Sequence, residues 1–157
     1  MQTNDSLSAI EKTMRRTSAA REGFLGKDDR SLAAILQADD DAVRRHGLTH
    51  AQIARRLLDL RRAGWEGQGE PVALAPHFEV SVDAARGALP CPFGDQGTIA
   101  KVNTTVRDLA RGRQITFSDL NIHMIEAHGF YEGRGAPFRL DPEQLMDTLA
   151  IGERDRE

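Results

Sequence analysis

The 157-residue chain contains a single cysteine, Cys91. One thiol excludes a disulfide within the chain, so the core must hold the fold, and a domain of this length can bury enough apolar surface to do so. The thiol is left for packing, for chemistry or for a metal, as in a reducing compartment. No apolar run approaches the length that crosses a bilayer, so no membrane partner is expected. The opening segment MQTNDSLSAIEK lacks the apolar centre of a secretory signal, and the expected location is the cytoplasm. Charge of one sign is not in excess: Lys+Arg 21 stands against Asp+Glu 24, a net of -3, which gives no general pull toward nucleic acid. There is no Walker loop, dinucleotide fingerprint or serine-nucleophile elbow, so the commonest cofactor classes have no support. Internal repeats and low-complexity tracts are also missing.

What is present begins with helices. Leu7, Ile10 and Met14 recur at helical spacing, and Ser8 with Glu11 predicts a capping box. A second helix is predicted from about Asp29 to His46, with Leu32, Ile35, Leu36 and Val43 as its apolar stripe and Gly47 as its stop. Thr49 and Gln52 predict the capped start of a third, whose buried face is Ile53, Leu57 and Leu60 and whose end is Gly64. Periodicity is lost at WEGQGEP, which divides a helical half, 1–66, from a mixed half, 67–157, within one compact domain. In the mixed half Phe78, Val80 and Val82 alternate with polar residues as in a half-buried strand. Further strands are expected across TIAKVNTTV and QITF, joined by the turn ARGR. A helix with two histidines follows, from about Ser118 to His128, with Gly129 at its end. A last helix is capped by Asp141, begins with Pro142, and turns Leu145 and Leu149 inward. The expected class is α+β: an N-terminal helical hairpin on a small antiparallel sheet, a ββα-like metal-binding unit, and a closing C-terminal helix.

The stretch LNIHMIEAHGF carries the most chemistry. His123 and His128 are five positions apart, about 140° around an ideal helix, yet zinc-finger helices accept three to five residues between their histidines. Upstream, LPCPFGDQG places Cys91, the best zinc ligand in the chain, four residues before Asp95 in a Pro/Gly turn. The expected ligands are therefore Cys91, His123, His128 and Asp95, with His77 or water as alternatives to Asp95, and zinc as the cofactor. Glu126, between the histidines, fits neither HExxH nor HxxEH and reads as a solvated helix residue. With CPFGD at 91–95 and LNIHMIEAH at 120–128, the chain resembles a C2H2 zinc finger of the bacterial type, in which aspartate replaces the second cysteine of some members. The resemblance covers about a quarter of the chain. It departs from the family in spacing: 27 residues, 96 to 122, separate Asp95 from His123, where a finger has about a dozen. DNA binding does not follow from so local a likeness.

Two other segments attract function. HGFYEGRGAPFRLDP holds three of the chain's seven Phe and Tyr residues, with Arg134 and Arg139 among glycines. It reads as a loop wrapped back on the core, or as a site for a small anionic ligand contacted by Arg134, Arg139 and Tyr131. From Ala42 to Gly64 there are six arginines and one acid, Asp59, with the cadence of a helix-turn-helix across 39–63. Arg55 and Arg56 would then meet phosphates, or would simply be the wet face of a helix. The favoured expectation is a small zinc protein with a structural ion, serving a protein partner or anionic ligand, with homo-oligomerisation left open. A DNA-binding regulator and a metal-dependent hydrolase-like enzyme with an open zinc position stand behind it; the sequence does not decide whether the protein is an enzyme.

Overall fold

The computed structural model describes residues 4–17 and 23–151. Within them the order is α1 (Asn4–Thr17), α2 (Leu32–Arg45), α3 (His50–Trp65), β1 (Val72–Leu74), β2 (Phe78–Pro90), β3 (Thr98–Asp108), β4 (Arg113–Ser118), α4 (Asp119–His128) and α5 (Pro142–Thr148). The four strands form an antiparallel meander in sequence order, an α+β fold with helices before and after the sheet. None of the described helices is long and apolar enough to cross a membrane.

Helix starts follow side-chain chemistry. Thr49 and Gln52 form the predicted reciprocal box at α3, and Asp141 caps α5 through the Gln144 amide. At α4, Ser118 and Asn121 make a further box. The predicted box at Ser8 and Glu11 does not form, because α1 begins at Asn4 and Ser8 lies inside it. Glu11 serves a neighbour instead: its carboxylate accepts the Leu32 amide at 2.7 Å, a negative charge at the start of α2 where the helix dipole favours one. α2 itself begins at Leu32 rather than near Asp29, with Ser31 as the cap.

Gly64 does not end α3, which runs on to Trp65. Its role is close approach: a Cβ built there would lie 2.7 Å from Val80 Cγ1 and 2.8 Å from Val82 Cγ2. The bare backbone lets α3 seat directly on β2. The predicted stripe Ile53, Leu57 and Leu60 is fully buried with Phe78, Val80, Val106 and Phe117 in the larger core cluster, each worth about 1.5–3 kcal/mol of burial. A second cluster joins Met14, Leu25, Leu32 and Ile35 to Cys91, Phe93, Leu120, Met124 and Phe130. α2 and α3 are successive but do not form a close pair: α2 packs on α1 and α5, and α3 on β2 and α4.

Strand lengths position everything that follows. β1 pairs only with Phe78–Val80, and β4 only with Asn103–Asp108. Beyond those partners β2 and β3 continue as a two-stranded arm, with a register shift between Ala84 and Ala88. Every residue from Asp83 to Pro90 is exposed. The loop 91–97 forms the tip of this arm. Ser118, where α4 starts, lies opposite Asn103. From Asn103 to Thr98 the strand climbs five residues, about 17 Å. The ten residues of α4 rise about 15 Å. Helix and arm therefore end at nearly the same level, which brings His128 to the tip.

Candidate metal centre

At the arm's tip the Gly94 amide donates to the Cys91 carbonyl at 3.0 Å, closing a tight turn. Gly94 has φ 91°, in the left-handed region that glycine enters without strain. The turn faces the last turn of α4, which ends at Gly129, φ 64°, in the left-handed cap the sequence predicts. Gly129 is also needed for space: a Cβ there would lie 2.8 Å from His50 Nε2.

These two ends bring Cys91, Asp95, His123 and His128 together, with one candidate ligand atom from each lying within 4.8 Å of all the others. A zinc tetrahedron with bonds of about 2.0–2.3 Å has edges of about 3.3–3.8 Å. Asp95 Oδ2 lies 2.7 Å from His123 Nε2 and 2.6 Å from His128 Nε2. These are hydrogen-bond lengths, so the donor atoms spread slightly in holding an ion. α4 stays α-helical through His128. The two imidazoles converge by side-chain reach although they lie on different flanks of the helix. The donor set of one thiol, two imidazoles and one carboxylate could hold a metal ion, and it fits the zinc-finger resemblance without confirming it. The extra length is explained by β3 and β4: the chain runs down the sheet and back before the histidine helix begins.

The surroundings differ on the two sides. His128 stacks on Phe93, centroids 4.0 Å apart at 9°, and Phe93 meets Phe130 edge-on at 5.3 Å. This buried aromatic wall keeps water from one side; Phe93, two residues after Cys91, is a contributor that the sequence reading passed over. Burial pushes the Cys91 thiol up, opposing ionisation until a cation arrives. Hydrogen bonds from His128 and then His123 hold the Asp95 carboxyl down to about 2. On the open side Asp95, Glu126 and His128 border a cleft of about 830 Å³ shared with Asp40 and His50. Glu126 is exposed, as expected. His77 is not near the centre: it pairs with Asp108 at 3.3 Å, at the other end of β2 and β3.

The other sequence candidates lie elsewhere. Tyr131 is fully buried, its hydroxyl 2.9 Å from His50 Nδ1, and burial pushes that hydroxyl up. Arg139 binds Asp39 through two hydrogen bonds, 2.6 and 3.0 Å, and donates to the Glu132 carbonyl at 2.8 Å. Arg134 is exposed, and its backbone amide donates to Asp28. The loop thus wraps back on the core. In the basic segment Arg61 grips Asp119 with two hydrogen bonds, Arg44 pairs with Asp40 and Arg45 with Glu143. Arg56 lies over the Phe78 ring and Arg55 is exposed. At the start of α3, His50 binds Asp40 and Tyr131, and Gln52 is taken up by the cap.

A buried acid was not foreseen. Glu132, 5 % exposed and with φ 68°, accepts from Asn121 Nδ2 at 2.9 Å. Burial pushes its carboxyl up to about 7, against smaller opposing pulls from Asn121 and Arg139. The folded state therefore holds this proton more tightly than the unfolded chain. Its stabilising contribution is complete below the ordinary glutamate pKa and is lost as pH rises through about 7. Glu132→Gln is expected to gain on wild type by roughly 2–3 kcal/mol between pH 5 and pH 8, measured as unfolding free energies at the two pH values. A constant difference would show that Glu132 ionises as freely folded as unfolded.

No family model matches the chain, and no curated protein or solved structure matches it.

Proposed function

We propose that the chain binds one zinc ion through Cys91, Asp95, His123 and His128, and that the ion is structural, clasping the arm to the end of α4. The supporting observation is the convergence of four donor side chains from two segments far apart in sequence. Four protein ligands complete a tetrahedral zinc and leave no place for water, the pattern of structural sites. The wider role is binding, in the cytoplasm, of a partner protein or small ligand. Elemental analysis of tag-free protein tests the reading. One zinc per chain is expected, lost in both Cys91→Ser and His128→Ala. Metal-free protein from zinc-replete cells, with melting temperatures equal in all three forms, would overturn it.

A second reading, the hydrolase-like enzyme, is favoured by the cleft that borders Asp95 and His128. Asp95 is the more exposed of these two side chains, at 39 %, and is the ligand a water or substrate would replace. Under that reading the metal-free protein stays folded and Asp95→Ala retains the ion. DNA binding has less support, because the leading residues of α3 are engaged within the fold.

A further inference from the structure

A second cavity, of about 360 Å³, lies between the arm and the loop after α4. Its size is at the lower end of small-molecule sites. Leu89 and Ile99 of the arm, Leu120 of α4, and Phe24 and Phe138 supply apolar wall, and Glu132 is its one acid. Arg134 and Arg139 do not line it.

Glu132 is held there firmly. Asn121 Oδ1 accepts from both the amide and hydroxyl of Ser118, at 2.9 and 3.1 Å, which turns Nδ2 toward Glu132 Oε2 and the Phe138 carbonyl. Arg139 fixes the Glu132 carbonyl from the other side. Among the described residues the second carboxylate oxygen receives no hydrogen bond. Among the described residues Thr104 Oγ1 is the sole fully buried side-chain polar atom without a partner, so this oxygen keeps some exposure, and Glu132 lines the cavity. Of the neighbouring cations, Arg139 is engaged by the carboxylate of Asp39, at 2.6 and 3.0 Å, while Lys101 lines the cavity from the exposed arm, beside Gly87. Once ionised, above about pH 7, the buried carboxylate needs a counter-ion, and phenyl rings favour a cation near their faces.

We propose that this cavity binds a small organic amine, with its ammonium group on Glu132 and its apolar body against Leu89, Ile99, Leu120 and Phe138. The site is separate from the metal centre and stands whether or not zinc binds. Glu132 is the one buried ionisable group in the wall, and Lys101 lines it from the exposed arm.

Titration of the full chain with 2-phenylethylamine tests this, using amide NMR shifts and calorimetry beside its neutral analogue, 2-phenylethanol. Saturable binding of the amine is expected, with shifts clustered at Ile99, Leu120 and Phe138. Glu132→Gln should weaken it about 10- to 100-fold, the worth of a charge-assisted hydrogen bond, and leave the alcohol unaffected. Ala85→Trp, at an exposed arm position in the cavity wall, should block amine binding with Glu132 intact. No saturation at millimolar amine would overturn the proposal, as would equal binding of amine and alcohol or full affinity in Glu132→Gln.

Discussion

Stripping the metal with a chelator is expected to lower the melting temperature by about 8–16 °C. With free zinc a thousandfold above its Kd, binding adds about 4 kcal/mol to stability, and each kcal/mol is worth about 2–4 °C in a chain of this size. The loss should be local first. The large core cluster of α3, the sheet and α5 contains none of the four donors, so it keeps its packing. The arm is held less firmly: its first strand is exposed from Asp83 to Pro90, and its buried apolar anchors are Cys91 and Phe93 at the tip and Val102 on β3. Hydrogen exchange should accordingly speed up at 84–102 and at the last turn of α4, while Val80, Val106 and Leu57 stay protected. Readdition of zinc should reverse both effects. An unchanged melting temperature with uniform exchange would mean that the ion, where bound, has no structural role.

Asp39→Ala is expected to cost about 3–5 kcal/mol, because it leaves a largely buried guanidinium with only the Glu132 carbonyl and a long contact to Asp141. The Asp39 and Arg139 side chains are 6 % and 13 % exposed, and two short hydrogen bonds join them across 100 residues of sequence. Replacing both, as Asp39→Leu with Arg139→Met, should recover most of that loss. A residue of about 1–3 kcal/mol should remain, since the Glu132 carbonyl loses the donor that Arg139 supplies. Denaturant unfolding of the singles and the double measures the cycle. A cost below about 1 kcal/mol for Asp39→Ala would place the pair with ordinary surface ion pairs.

The local code was readable where the chain caps and stops its own helices. Thr49 with Gln52, Asp141 with Pro142, and Gly129 each stand where a specific backbone group needs them. The four donors were legible one by one, as residue types with metal chemistry, and the structure brings them to one place. Their spacing misled because a finger's separation assumes one strand between knuckle and helix, whereas here β3 and β4 both intervene. Gly64 was misread for a related reason: glycine ends helices and also permits close packing, and only the position of Val80 and Val82 decides between them. The pairing of Arg139 with Asp39 leaves no local trace, since neither residue's neighbours reveal a partner so far away. Glu132 was hidden similarly. In the sequence it is one acid in a polar loop, and burial alone changes its chemistry.

The arm has an implication for solubility. Among the described residues no strand lies beside either outer edge along 84–90 and 98–102, so each presents unpaired backbone donors and acceptors of the kind that recruit a strand from another molecule. Arg86, Lys101 and the irregular pairing between Ala84 and Ala88 are the local guards against this. Clasped at its tip, the ribbon is held in one pose against α4; unclasped, it becomes a free β-hairpin that can align with its counterpart on a second chain. Its two positive charges then oppose self-association, and salt weakens that opposition. The clasp would thus decide whether an exposed ribbon remains part of one molecule or becomes a seed for many.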